Sequence, residues 1–226
     1  MIADQDKSAA ADAAVDEVID GMLVGLGTGS TAAFAIRRLG ERVAAGLRIR
    51  AVATSQRSAD LAREVGIDVL DFADVAATDL VIDGADEIDD RLYAIKGAGG
   101  AMLREKIVAA SAARMIVIAD GSKRVERIGA AKLPVEVLPF AYSFVRRRLA
   151  ELGAAVELRG GAAAPFRTDQ DNLVLDCRFG TIDDPVALDA ALSAIPGVLG
   201  HGLFLREVDR AVIAVRGQVT RLDRRV

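Results

Sequence analysis

The chain has a single cysteine, a single histidine and no basic block beyond two short arginine runs. Each scarcity removes a class of function. With Cys177 alone no disulfide can form within the chain, and Leu175 and Phe179 at strand spacing around it make it a buried thiol rather than a catalytic one. His201 stands between Gly200 and Gly202 in an expected loop, a setting more often structural or solvated than catalytic. Histidine triads, zinc sites and histidine acid–base pairs therefore have little to rest on. Acid–base chemistry near neutral pH must come from carboxylates and lysines. The 29 basic residues against 33 acidic ones leave a net charge of -4. Arg146 to Arg148 fall inside the amphipathic stretch Tyr142 to Leu152, and the other run, Arg221 to Arg225, is at the tail, so nucleic acid is not an expected partner. No apolar run is long enough to cross a bilayer, and Asp4, Asp6, Asp12, Asp16, Glu17 and Asp20 exclude the apolar core of a signal peptide. No membrane partner is expected, and the chain reads as cytoplasmic.

What is present is ample core material: 226 residues, 52% of them apolar. A helix is expected over 7–20, ended by Gly21, then a strand into a glycine turn and a helix over 31–39. Strand 48–54, helix 58–65 and strand 67–70 continue the alternation, followed by short continuous apolar runs at 79–82 and 115–118 with a helix over 101–113 between them. Such runs belong to strands covered on both faces. The expected fold class is α/β, a doubly wound parallel (Rossmann-like) sheet whose ligand crevice lies beyond the carboxyl ends of its strands. After Lys132 the texture changes to an extended 133–139, helix 142–152, strands 154–158 and 172–176, a helix from Asp184 with Pro185 in its first turn, and strand 202–205. That β-α-β-β-α-β order is that of a smaller α+β, ferredoxin-like domain. The expected division is 1–131 with 207–226 for the large domain and 132–206 for the small one, 211–215 rejoining the large sheet.

The chemistry-bearing segments sit at the strand ends. Met22 to Phe34 joins an apolar strand, three alternate glycines (Gly25, Gly27, Gly29) able to take positive φ, and Ser30 and Thr31 at the positive end of a helix, a cradle for an anion. Its G-x-G-x-G-S-T spacing is neither the dinucleotide fingerprint nor a P-loop, so a phosphorylated small molecule fits better than NAD or ATP. A plain strand-to-helix turn has about equal claim on the motif alone. Asp83, Asp86, Glu87, Asp89 and Asp90 crowd five carboxylates into eight residues. A hard-cation site, a site for sugar hydroxyls or acid–base work, and a solvated acidic turn all compete there. Asp89 and Asp90 are assigned to the solvated turn and Asp83 and Asp86 to the crevice, with a metal ranked second. In a further loop-to-helix junction, Lys96-Gly-Ala-Gly-Gly100, Lys96 can stabilise an oxyanion. Glu105 lies early on the next helix, away from an expected inward stripe of Leu103, Ile107 and Ala110, where helix statistics alone favour a surface glutamate. A glutamate base with a lysine nearby suits proton abstraction beside a carbonyl.

Over essentially its whole length the chain resembles the type A ribose-5-phosphate isomerases. Four segments carry the resemblance in order and spacing: Gly25-Leu-Gly-Thr-Gly-Ser-Thr-Ala32, Asp83-Gly-Ala-Asp-Glu-Ile-Asp89, Lys96-Gly-Ala-Gly-Gly100 through Glu105-Lys106, and Ala119-Asp-Gly-Ser-Lys123. It implies a metal- and cofactor-independent aldose–ketose isomerase acting on ribose 5-phosphate and ribulose 5-phosphate in the non-oxidative pentose phosphate pathway, and a homodimer. Thr28, Gly29, Ser30 and Thr31 would hold the phosphate, with Lys7, and Asp83, Gly84, Ala85 and Asp86 the sugar hydroxyls, Asp83 assisting ring opening. Lys96, Gly97, Ala98 and Gly99 would line the site, Lys96 steadying the enediolate oxygen, Glu105 would shuttle the proton between C1 and C2, and Lys123 would bind substrate. Two other classes remain: a sugar-phosphate-sensing module, which normally adds a DNA-binding segment, and a coenzyme A transferase or amino-sugar phosphate deaminase. The first lacks its partner segment here. The transferase needs a nucleophilic glutamate on another loop, and the deaminase leans on histidine.

Overall fold

The computed structural model describes residues 2–224, so Arg225 of the tail run lies outside the described residues. The chain opens with α1 (Ile2–Val15), β1 (Leu23–Leu26), α2 (Ser30–Ala44), β2 (Arg50–Ala53), α3 (Gln56–Glu64) and β3 (Asp68–Val69). Next come β4 (Leu80–Gly84), the short strands β5 (Glu87–Ile88) and β6 (Ala94–Ile95), α4 (Met102–Ala110) and β7 (Met115–Asp120). The stretch β8 (Leu133–Val137), α5 (Tyr142–Glu151), β9 (Ala155–Leu158), β10 (Leu173–Arg178), α6 (Pro185–Ser193) and β11 (Val198–His201) follows. Last are β12 (Leu203–Phe204), β13 (Arg210–Val215) and β14 (Gln218–Asp223).

Seven strands form one sheet in the order β14-β13-β7-β4-β1-β2-β3, parallel except for β14, which returns antiparallel on β13. Side chains alternate across it: Leu80, Ile82, Ile116 and Ile118 pack under α1 and α2, while Val81, Met115 and Val117 pack with Val108 of α4 on the other face. Burial on both faces is why these strands read as unbroken apolar runs. The order reverses between β1 and β4, so the loops leaving those two strands part and open a crevice. Helix α1 begins earlier than expected and stops at Val15 rather than at residue 20. Beyond it the chain turns so that Glu17 pairs with Arg114 at 2.6 Å and Arg210 at 2.9 Å, contacts that a continuing helix would carry away from the sheet.

A second sheet, β11-β8-β10-β9, is antiparallel throughout, with α5 and α6 packed on it through Val145, Leu149 and Leu192. This is the ferredoxin-like unit, with one correction. Its fourth strand is Val198–His201, whereas Leu203–Phe204, expected in that place, pair with β6 in a three-stranded sheet β12-β6-β5. Gly202 makes the crossing: its N–H donates to the Pro134 carbonyl and its own carbonyl accepts from the Lys96 N–H. His201 accordingly ends a strand rather than sitting in a loop. It is buried, its Nδ1 accepts from the Leu203 N–H, its Nε2 lies 3.1 Å from Ser193 Oγ, and burial pushes its pKa down to about 3. Cys177 is buried in β10, and burial pushes its thiol up to about 12. No helix among the described residues is long and apolar enough to cross a membrane.

Candidate active site

Of the three glycines expected to take positive φ, Gly29 does so, at 109°, and caps α2. Gly27 is required for a different reason, close approach: a Cβ there would stand 2.0 Å from Asp83 Oδ1. The Ser30 hydroxyl accepts from Lys7 Nζ at 3.1 Å, in front of the free N–H groups that open α2. Thr28 lines the same cleft, but its hydroxyl is engaged at the start of α3. Its hydroxyl lies 2.8 Å from both the Thr54 and Ser55 hydroxyls, and Ser58 Oγ donates to the Gly27 carbonyl at 2.7 Å. This hydroxyl cluster at the start of α3 fastens the turn. Sequence reasoning missed it, although Ser55-x-x-Ser58 is an N-cap signature, with the Ser55 hydroxyl accepting from the Ser58 N–H.

Across the switch point, β4 delivers Asp83, β6 delivers Lys96 and the first turn of α4 delivers Glu105, and all three are buried. Asp83 Oδ1 accepts from the N–H groups of Thr28 at 3.0 Å and Gly84 at 2.7 Å. Lys96 Nζ lies 2.9 Å from Asp83 Oδ2 and 3.3 Å from Glu105 Oε2, and it donates to the Gly84 carbonyl. Burial first, and then the Asp83 charge, pushes Glu105 up to about 8 against the opposing pull of Lys96. Burial likewise raises Asp83, with Lys96 opposing. Burial would lower Lys96, but Asp83 and Glu105 outweigh it and hold the ammonium charged. One cation cannot neutralise two anions in so dry a place, so near neutral pH the two carboxyls hold a proton between them.

The burial of Glu105 overturns the expected face of α4. Met102, Glu105, Val108 and Ala109 face inward, whereas Ile107 is 45% exposed and Ala110 is exposed. The helix lies over the crevice, so its inward stripe includes the polar group that the crevice receives. The acidic cluster also resolves residue by residue. Asp86 Oδ2 accepts from the Ala98 N–H at 2.9 Å, and Glu87 takes the N–H groups of Gly129 and Ala131, each at 2.7 Å. Asp89, expected to be solvated, is buried and clamps its own turn by accepting from Arg91 and from the Tyr93 N–H. Asp90 is exposed and pairs with Arg124. Five carboxylates thus point to five different sets of partners. No group of three or more metal-ligating side chains occurs among the described residues.

A cleft of about 220 Å³ gathers Thr28, Gly29, Ser30, Thr31 and Lys7 on one wall, and Gly84, Ala85, Asp86, Lys96, Gly97, Ala98, Gly99 and Glu105 on the other. Lys123, in the short turn after β7 that Asp120 caps, closes the rim. Asp83 lies behind Lys96 with no exposed surface. A larger groove, about 520 Å³, runs along α3, β3 and α4 and holds none of the triad. The chemistry therefore belongs to the smaller cleft.

An anion-binding helix end facing a buried carboxylate and an ammonium, at the switch point of a doubly wound sheet, defines an α/β enzyme that moves protons on a small anionic substrate. The sequence profile of ribose 5-phosphate isomerase A (phosphoriboisomerase A) matches residues 50–218. The chain belongs to that family. It is 55% identical over 220 residues to ribose-5-phosphate isomerase A of Sphingopyxis alaskensis, covering 97% of this chain and 96% of that one. A solved D-ribose-5-phosphate isomerase in complex with phospho-erythronic acid superposes with a TM-score of 0.95 at 37% identity, covering 99% of this chain and 100% of the other. The Neisseria gonorrhoeae enzyme does so with a TM-score of 0.92 at 37% identity, covering 99% and 98%.

Proposed function

We propose that the chain interconverts D-ribose 5-phosphate and D-ribulose 5-phosphate through an enediolate, without a metal or cofactor. The observation that carries this reading is Glu105: a buried carboxyl raised to about 8, 3.3 Å from an ammonium and open to a cleft whose far wall is an anion-binding helix end. The phosphate sits against Gly29, Ser30 and Thr31 with Lys7 and Lys123, leaving the carbonyl end of the open-chain sugar beside Lys96. Ionised Glu105 removes the proton from C2, the C2–H electron pair becomes the C1–C2 double bond, and the charge driven onto O1 is met by the Lys96 ammonium. The O2 proton passes to O1, and the same carboxyl, now protonated, returns its proton to C1 as the charge left on O2 collapses to the C2 carbonyl, which gives the ketose and restores the ionised base. Asp83, having no surface in the cleft, acts on ring opening through Lys96, and Asp86 orients the loop carrying Ala98.

The remaining assignments are a homodimer, a cytoplasmic location and a division of the chain into 1–131 with 207–226 and 132–206. Purified protein should convert ribose 5-phosphate and exchange its C2 proton with solvent. Activity should survive exhaustive dialysis against a chelator. Loss of activity restored by a divalent ion would turn the carboxylates after β4 into a metal site.

A further inference from the structure

The Lys96 to Gly100 loop carries the ammonium and the Ala98 N–H, yet with three glycines in five residues it has little conformational preference of its own. What fixes it comes from the other sheet. Arg159, just after β9, donates from Nη1 to the carbonyls of Gly97 and Ala98, each at 3.1 Å. Its Nε and Nη2 form a two-pronged pair with Asp176 of β10, the Nε bond being 3.0 Å. Only 16% of the Arg159 side chain and 10% of that of Asp176 are exposed, so solvent screens this contact little. The backbone of Arg159 is itself pinned: its N–H donates to the Val174 carbonyl and its carbonyl accepts from the Phe166 N–H. The Phe166 ring lies 5.5 Å from the guanidinium and abuts Gly100, where a Cβ would come within 2.4 Å of it.

We infer that Arg159 is a positioning residue for the isomerisation, through which the ferredoxin-like sheet holds the substrate loop in its working shape. The inference rests on the isomerase reading above. Its physical content is a division of labour. Lys96 Nζ is already held by Asp83, Glu105 and the Gly84 carbonyl, so Arg159 leaves the charge state of the triad alone. The Ala98 and Gly100 N–H groups are taken up by Asp86 and the Gly97 carbonyl, so what Arg159 governs is how Gly97 and Gly99, which line the cleft, present their N–H groups, and an N–H aimed at a developing oxyanion matters in the transition state more than in the ground state. A planar fork is needed, because one side chain must serve two carbonyls and a carboxylate together.

Arg159→Met should lower kcat about 10- to 100-fold, the loss that follows from misplacing a positioned group by about an ångström, while KM changes far less. The acid limb of the pH profile should stay where the parent has it, and millimolar guanidinium should restore part of the lost turnover. Arg159→Lys keeps the charge opposite Asp176 but not the fork. It should show the same split with a smaller fall, and it carries the test if the methionine variant does not fold. The amides of Ala98 and Gly100, bonded to Asp86 and to the Gly97 carbonyl, should exchange faster with solvent in either variant. Parental kcat in a folded Arg159→Met protein, a displaced acid limb, or unchanged exchange at Ala98 and Gly100 would each overturn the inference. If the parent does not turn over ribose 5-phosphate, the isomerase reading fails by itself, and the exchange experiment still decides whether Arg159 anchors the loop.

Discussion

Glu105 and Glu136 are two buried glutamates that began with the same problem and met different fates. Each has one carboxyl oxygen, Oε2, out of reach of water, that of Glu136 without a hydrogen-bond partner and that of Glu105 with only the Lys96 ammonium 3.3 Å away, and burial is the leading cause that raises each above the usual carboxylate range. Glu136, on β8, spends its other oxygen on neutral donors, the Thr168 hydroxyl at 2.8 Å and the Asn172 amide at 2.9 Å. Glu105 faces a second carboxylate, an ammonium and an open cleft. A raised pKa therefore marks burial in both places, and the surroundings suit a base in only one. What makes a base is somewhere for the proton to come from and a cation that makes the ionised form tolerable.

The largest effect that would sharpen this contrast is Glu105→Gln. Glutamine keeps the size and reach of the side chain and cannot take a proton, so turnover should fall at least about 100- to 10,000-fold, the usual worth of a general base, with the fold and most substrate affinity retained. C2 proton exchange measured on the variant is the check. Exchange at the parental rate would move the base elsewhere in the cleft.

Next in size are Ser30→Ala and Thr31→Ala at the opposite wall. A hydrogen bond to a charged group is worth about 1.5–3 kcal/mol, so each change should weaken ribose 5-phosphate binding by about 10- to 100-fold and narrow the preference over unphosphorylated ribose. Steady-state kinetics with both sugars measure it. Unaltered constants in both variants would take the α2 end out of the substrate site.

The succession of strands and helices along the chain and the two glycine junctions were legible because they are local: alternating apolar runs, glycine spacing and a hydroxyl pair at a helix start each lie within a few residues. Glu105 was singled out as the base by the family resemblance and not by its helix. By periodicity Leu103, Ile107 and Ala110 made a plausible core stripe, and only the placement of α4 over the crevice puts Met102 and Glu105 inside instead. Asp89 looked solvated because its partners, Arg91 and Tyr93, cap a turn that composition does not announce. The strands Glu87–Ile88, Ala94–Ile95 and Leu203–Phe204 are two residues each, too short to show a period, and the last comes from a distant part of the chain. Arg159 gave no signal at all, since its role depends on carbonyls some sixty positions away.

A smaller effect separates the parent from Glu105→Gln in stability rather than turnover. Glu105 is raised in the fold from 4.5 to about 8. The unfolded chain therefore releases this proton at lower pH than the folded one does. Any stability that the neutral carboxyl lends is whole below about 4.5 and is lost as pH rises through about 8. The parent should lose stability relative to Glu105→Gln across that window, as urea melts at several pH values would reveal. Parallel curves for the two proteins would mean that the carboxyl is not raised.

The smallest effect, and the one that tests the comparison most directly, is Glu136→Gln. An amide oxygen can keep accepting from Thr168 and Asn172, while the change removes the cost of ionising a buried carboxyl. Glu136 is raised in the fold, so the sign is that of Glu105: at low pH, with the carboxyl neutral, the parent and variant should be about equally stable, and the variant should gain on the parent as pH rises past the usual carboxylate range. Turnover should not follow, because Glu136 lies on β8, is absent from the walls of the cleft and touches none of Asp83, Lys96 or Glu105. Melting curves and kcat measured on the same preparations decide it. A fall in kcat approaching that of Glu105→Gln, with the fold intact, would show that the two glutamates share one proton network and would end the distinction between a buried carboxyl and a base.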